Sequence, residues 1–113
     1  MSLTIHSSQK GDARIIRAEG RVDSSNASEF EAAALSAIGE DGGSLVFDLG
    51  GLTYMSSAGL RVLLVSLKAC KAKARKVGLS DVQDNVANVL TMSGFAAMFT
   101  IADDVDQTIA ALG

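Results

Sequence analysis

Several kinds of chemistry are excluded by what this chain has little of. Its 113 residues include one cysteine, Cys70, and one histidine, His6. A lone cysteine cannot close an internal disulfide, so a reducing, cytoplasmic compartment is expected. A lone histidine near the chain start, with no ligand-type residue beside it, makes neither a persuasive metal ligand nor a catalytic base. No apolar run approaches the roughly 20 residues that a bilayer span needs, and no secretory signal pattern is present, so no membrane partner is expected. Lysine and arginine number 10 against 13 acidic residues, a net charge of −3, which argues against nonspecific binding to nucleic acid. Neither Gly42-Gly43 nor Gly50-Gly51 leads into the lysine of a phosphate-cradling loop; both read as turns. With no catalytic constellation, cofactor motif or metal-ligand cluster, no enzyme is expected.

What is there reads as one α/β domain over residues 1–113. Hydrophobic residues make up 48% and charged residues 20%, an ordinary globular balance, and the length suffices for a core without staples. Leu3 to His6 is a short strand candidate, and polar Ser7 to Asp12 is the hairpin loop after it. Ala13 to Val22 is a second strand. Ser24-Ser25-Asn26 supplies helix-start chemistry for Ala27 to Ile38, whose apolar residues recur at helical spacing. After the break at residues 39–43, Leu45 to Asp48 is apolar without alternation, as a strand covered on both faces should be. A helix from Ser57 to about Arg75 puts Leu60, Leu63, Leu64, Leu67, Cys70 and Ala74 on one face. Lys68, Lys71, Lys73, Arg75 and Lys76 gather toward its C-terminal end, where cations complement the dipole. Lys76 to Ser80 is a weak strand, Asp84 to Ser93 a helix ended by Gly94, Met98 to Ile101 a short strand, and Val105 to Leu112 a last helix. The order ββαβαβαβα implies a mixed sheet of four to five strands with right-handed crossovers and about four helices.

The stretch most suggestive of function is Leu45 to Leu64, LVFDLGGLTYMSSAGLRVLL. A strand and a Gly-Gly turn lead through Leu52 to Met55 into two adjacent serines at a helix start. A helix N-terminus carries unpaired N–H groups and the positive end of the macrodipole, so it favours an anion. One serine suffices as an N-cap; the other is left over at an anion-favouring position. Asp23, at the end of the second strand, forms an Asx-turn or cap, or lies near Ser57 if strands two and three are neighbours. Gly59 costs helix propensity, and its missing side chain lets a partner or a neighbouring segment approach. Arg61, one turn after Ser57, either steadies a phosphate or is simply solvated. Cys70, Met92, Phe95, Met98 and Phe99 read as core.

Tyr54-Met55-Ser56-Ser57-Ala58-Gly59-Leu60 resembles the central signature of the STAS family, the sulphate-transporter and anti-sigma-factor-antagonist domain. Gly20-Arg21-Val22-Asp23 resembles its Gly-x-Leu-Asp motif, and Ser93-Gly94-Phe95 a turn near its end. The chain has no proline, whereas many relatives carry one before the third helix; Asp84 stands there, and residues 76–85 are the place to expect a local departure. The resemblance implies a STAS fold with the helices packed mainly on one face of the sheet. It implies an anti-sigma factor antagonist that binds an anti-sigma factor, usually also a serine kinase, while Ser57 is unphosphorylated, and so frees the sigma factor. Ser57 is then the phosphoacceptor, with Ser56 the second choice, and Asp23, Ser56, Ser57, Ala58, Gly59 and Arg61 form the partner-binding surface. A serine phosphatase would restore the binding form. The alternative within the family is an accessory or scaffold subunit of a transporter or other complex, without phosphoregulation.

Overall fold

The computed structural model describes residues 3–40 and 42–113; Met1, Ser2 and Asp41, which fall within the expected 1–113 domain and the expected 39–43 break, lie outside the described residues. Strands β1 (Leu3–Lys10) and β2 (Ala13–Val22) are followed by α1 (Ala27–Gly39), β3 (Leu45–Met55), α2 (Ser57–Ala72), β4 (Val77–Ser80), α3 (Asp84–Ser93), β5 (Thr100–Ala102) and α4 (Val105–Leu112). The five strands form one sheet in the order β1-β2-β3-β4-β5. β1 runs antiparallel to β2, and every later pair is parallel. The expected α/β order is therefore the observed one.

Three helices share one face. Ile16, Leu45, Phe47 and Leu79 of the sheet meet Phe30 of α1, Leu63 of α2 and Val86 and Leu90 of α3 in a single core, where the Phe30 and Phe47 rings pack edge to face at 5.6 Å. Among the described residues only α4 covers the other face, setting Leu112, Val105 and Ile109 against Ile15 and Val46. Gly78, the doubtful feature of the weak fourth strand, is what lets α4 dock: a Cβ there would strike the Thr108 and Leu112 side chains. All four residues of β4 are buried.

Several boundaries differ from the sequence reading. β1 continues to Lys10 and turns through Gly11-Asp12 alone, with Gly11 at φ +60°, the type II′ pattern. Ser7 to Lys10 are polar because they lie on an exposed edge, so their composition imitates a loop. β3 does not stop at Asp48 but runs to Met55 through both glycines. Gly50 and Gly51 are needed for close approach rather than for a turn: a Cβ on Gly51 would sit 2.8 Å from Glu19 Cγ, and one on Gly50 would strike the Asp81 carboxylate. β3 spends two more residues than β2 over the same span, with register shifts between Arg17 and Glu19 and between Gly20 and Arg21; these are β-bulges.

α2 ends at Ala72, and Ala74 is exposed at φ +57° instead of lying on the core face. The chain is turned back there by Arg75, whose guanidinium donates to Gly43 O and Ile38 O. Met92 is 88% exposed and Met98 47%, contrary to the core expectation. Met92 lies two residues from core-facing Leu90, a spacing that does not share a helix face, and Met98 belongs to a single 3-10 turn, Ala96–Met98. That turn displaces β5 to Thr100–Ala102. Phe99 is buried and Phe95 half-buried.

Two substitutions should move stability in opposite directions. Ala74→Gly removes a left-handed alanine and should stabilise by roughly 0.5 kcal/mol, whereas Gly78→Ala should destabilise by about 1–3 kcal/mol through overpacking under α4; urea unfolding of both variants checks the pair.

Candidate functional site

The parallel ladder of β2 and β3 closes with Val22 opposite Met55. One step beyond, the Ser56 amide donates to Val22 O at 2.9 Å, so Ser56 is the last residue held by the sheet. It is also the first held by α2. Its backbone is extended, its Oγ accepts from the Ala58 amide at 3.2 Å, and its carbonyl accepts from the Gly59 and Leu60 amides. Every polar group of Ser56 thus has structural work, as expected of an N-cap.

Ser57 differs. It is the first helical residue, it is exposed, and its Oγ makes no hydrogen bond among the described residues. It sits at the positive end of a 16-residue helix, where added negative charge is favoured. Ala58 is half-buried, and exposed Arg61 follows one turn later without an ion pair among the described residues. Gly59 is buried: a Cβ would lie 2.5 Å from Met55 Cγ and 2.9 Å from Val22 Cγ1. The neighbouring segment that exploits its small size is the molecule's own pair of strand ends, so Gly59 seats α2.

Asp23 follows directly on Val22, so the sheet brings it next to Ser56. Its Oδ1 accepts from the Ser25 amide at 2.9 Å and from the Ser25 hydroxyl, an Asx-turn. These bonds, aided by the charge of Arg21, hold its carboxyl below the ordinary range. Asn26, 8% exposed, locks the turn: its Oδ1 accepts from the Asp23 amide at 2.9 Å and its Nδ2 donates to Arg21 O at 3.0 Å. The other Asp23 oxygen, Oδ2, makes no hydrogen bond among the described residues. Asp23, Ser57 and Arg61 are therefore gathered around one rim, with Ser56, Gly59 and Asn26 fixing the backbone beneath.

Sequence reading missed Arg21 and Tyr54. They lie opposite one another in the register, and the Arg21 guanidinium stacks 4.3 Å from the centre of the exposed Tyr54 ring. Thr53 Oγ1 donates to Gly20 O at 2.9 Å beside them. Beyond Asp48, β3 has no β4 partner, and Gln83 and Asn85 at the start of α3 donate to Gly50 O and Thr53 O. The signal in the sequence was the interrupted alternation at Gly50-Gly51, which marks a bulged strand as readily as a turn.

The other groups weighed in the sequence lie away from the rim. His6 lies opposite Arg17 on β1, 3.6 Å from Glu19, and not beside Ser57. Cys70 is buried, and burial pushes its thiol up, away from nucleophilic use. Among the described residues no cluster of three or more His, Cys, Asp or Glu could hold a metal ion, and no helix is long and apolar enough to cross a membrane.

Comparison with known proteins follows the same lines. Residues 4–108 match the family profile of the STAS domain. The chain is 34% identical over 93 residues, 82% of its length and 80% of the relative's, to BtrV of Bordetella bronchiseptica, described as a candidate anti-sigma factor antagonist. The fold superposes on an anti-sigma factor antagonist from Mycobacterium paratuberculosis with a TM-score of 0.90 and 18% identity, covering 98% of this chain and 94% of that one. It also superposes on the phosphorylated form of the Bacillus cell fate determinant SpoIIAA with a TM-score of 0.74 and 18% identity, covering 97% and 100%. At such identities the two structural likenesses establish the fold.

The division of labour between the serines is measurable. Ser56→Ala should cost about 1 kcal/mol through loss of the cap, while Ser57→Ala should stay within about 0.5 kcal/mol of wild type; equal losses in denaturant unfolding would contradict it.

Proposed function

The chain belongs to the STAS domain family, and from that premise we propose that it is an anti-sigma factor antagonist, a binding module controlled by phosphorylation of Ser57. The observation that carries the reading is that Ser57 is exposed at the first helical position, its hydroxyl without a hydrogen bond among the described residues, while Ser56 performs the cap. The relationship to BtrV supports the same role. Residues 1–113 act as a single STAS domain in the cytoplasm, without catalytic activity. Unphosphorylated, the rim of Asp23, Ser57 and Arg61, with Ser56 and Ala58 supplying the backbone course, binds an anti-sigma factor and so frees its sigma factor.

The anti-sigma factor doubles as a serine kinase and transfers the γ-phosphoryl group of its ATP to the Ser57 hydroxyl, releasing ADP and the hydroxyl proton; a serine phosphatase hydrolyses the phosphoester and restores the hydroxyl. The switch is local physics. A phosphate adds about −1.5 to −2 charges and bulk where a partner must pack. It meets the positive end of α2 and lies one turn from Arg61, so the domain itself tolerates it. The partner, by contrast, would have to desolvate that charge. Binding is lost while the fold hardly moves.

Wild type and Ser57→Asp, used as parallel baits in a lysate of the source cells, test this. An anti-sigma factor or serine kinase should be held by wild type and lost with Ser57→Asp, whose thermal unfolding should stay near wild type. Equal capture of a transporter subunit by both baits would instead indicate an accessory subunit and reduce Ser57 to part of a helix start.

A further inference from the structure

The free edges of this sheet are not treated alike. β5 offers only three residues, Thr100–Ala102. The stretch of β3 beyond β4 is covered by the Gln83 and Asn85 side chains. β1 lacks four of the usual guards of an edge strand, namely brevity, proline, a bulge and inward charge. It is eight residues long and pairs with β2 in unbroken register from Leu3↔Gly20 to Lys10↔Ala13. The chain contains no proline. The one lysine of the strand, Lys10, stands at its end and is tied to Asp106.

The hairpin determines which main-chain groups face outward. Lys10 and Ala13 flank the two-residue turn and form its closing hydrogen-bonded pair. Antiparallel pairs alternate, so Lys10, Ser8, His6 and Thr4 direct their N–H and C=O toward β2. Leu3, Ile5, Ser7 and Gln9 direct theirs away from the molecule. We propose that this edge is a homodimer interface, in which β1 of a second copy adds antiparallel about a two-fold axis at His6.

That register uses every outward residue: Leu3 exchanges hydrogen bonds with Gln9 of the second copy, and Ile5 with Ser7. A register centred on Ile5 or Ser7 leaves some of them unpaired. Thr4 stands opposite Ser8, a favourable cross-strand pair, and His6 faces its own symmetry mate. From Leu3 to Gln9 the strand carries no Asp, Glu, Lys or Arg, so no permanently charged side chains oppose one another across the paired strands. The contact is isologous and therefore closes at two copies. The five-stranded sheet becomes continuous across the axis, and β2 separates the contact from β3 and the Ser57 rim. Strand pairing alone holds the two copies, so the dimer should form and dissociate with concentration across the micromolar to millimolar range.

Sedimentation velocity from about 10 μM to about 1 mM tests the proposal on the full chain. The expected result is a shift from monomer to dimer across that range. Ser7→Pro removes an outward donor, a change that edge strands tolerate, and should weaken association at least about tenfold with unchanged circular dichroism. Should that variant misfold, oxidative cross-linking decides: His6→Cys faces its own copy at about 4.5 Å between Cα atoms, within disulfide reach, and should cross-link far faster than Thr4→Cys. A monomer throughout, association undiminished in folded Ser7→Pro, or equal cross-linking of the two cysteine variants would overturn the interface.

Discussion

The hydrogen bond from the Ser56 amide to Val22 O, 2.9 Å long, is the joint on which the functional rim depends. On one side it is the last rung of the parallel β2–β3 ladder; on the other it fixes the residue that caps α2. Because the ladder runs parallel, the two strands end at the same edge, and whatever follows β2 must lie beside whatever follows β3. Asp23 and Ser57 are thus brought together by sheet register, 34 residues of numbering apart notwithstanding. The buried glycine at position 59 lets the first turn of α2 settle on Met55 and Val22, which holds the rim close against the sheet. Cap, turn and glycine do the structural work so that one hydroxyl is left with none.

The opposite end of the molecule shows how the ends of the helices are satisfied. The cations after the middle of α2 were expected to complement its own dipole. Three of them also serve neighbouring helices. Lys73 and Arg75 donate to Ile38 O near the end of α1, and Lys76 donates to Leu112 O at the end of α4. Helix C-termini expose carbonyls without internal partners, and these side chains satisfy several of them. Helix-end carbonyls are therefore answered by lysine and arginine at one pole, while the other pole carries the N-terminus of α2 with exposed Arg61 and the Asp23 carboxylate beside it.

The legible parts of this chain were those written in local chemistry. β2, α3 and α4 were read from periodicity and caps, with Gly94 at φ +82° closing α3 as glycine does at that position. Ser56 as cap and Ser57 as the spare hydroxyl were likewise local, because one helix start needs one cap. What stayed hidden depends on register. Gly50-Gly51 looks the same in a turn and in a bulged strand, and only Glu19 and Asp81, which crowd them from elsewhere in the chain, distinguish the two. The stacking of Arg21 on Tyr54 requires knowing that these residues are opposite one another. Gly59 was open between a partner and the protein's own strands, a choice made by burial, and Met92 was misread because hydrophobicity alone does not reveal which face of a short helix it occupies.

The central claim is that two adjacent serines have separate duties, one structural and one free to be modified. It is tested most directly by mapping phosphate by tandem mass spectrometry on the protein recovered from its source cells. Phosphate confined to Ser57, with Ser56 unmodified, is the predicted result. Phosphate on Ser56, whose Oγ is already engaged with the Ala58 amide, would mean that the cap itself is the switch and that the division drawn between the two residues is wrong.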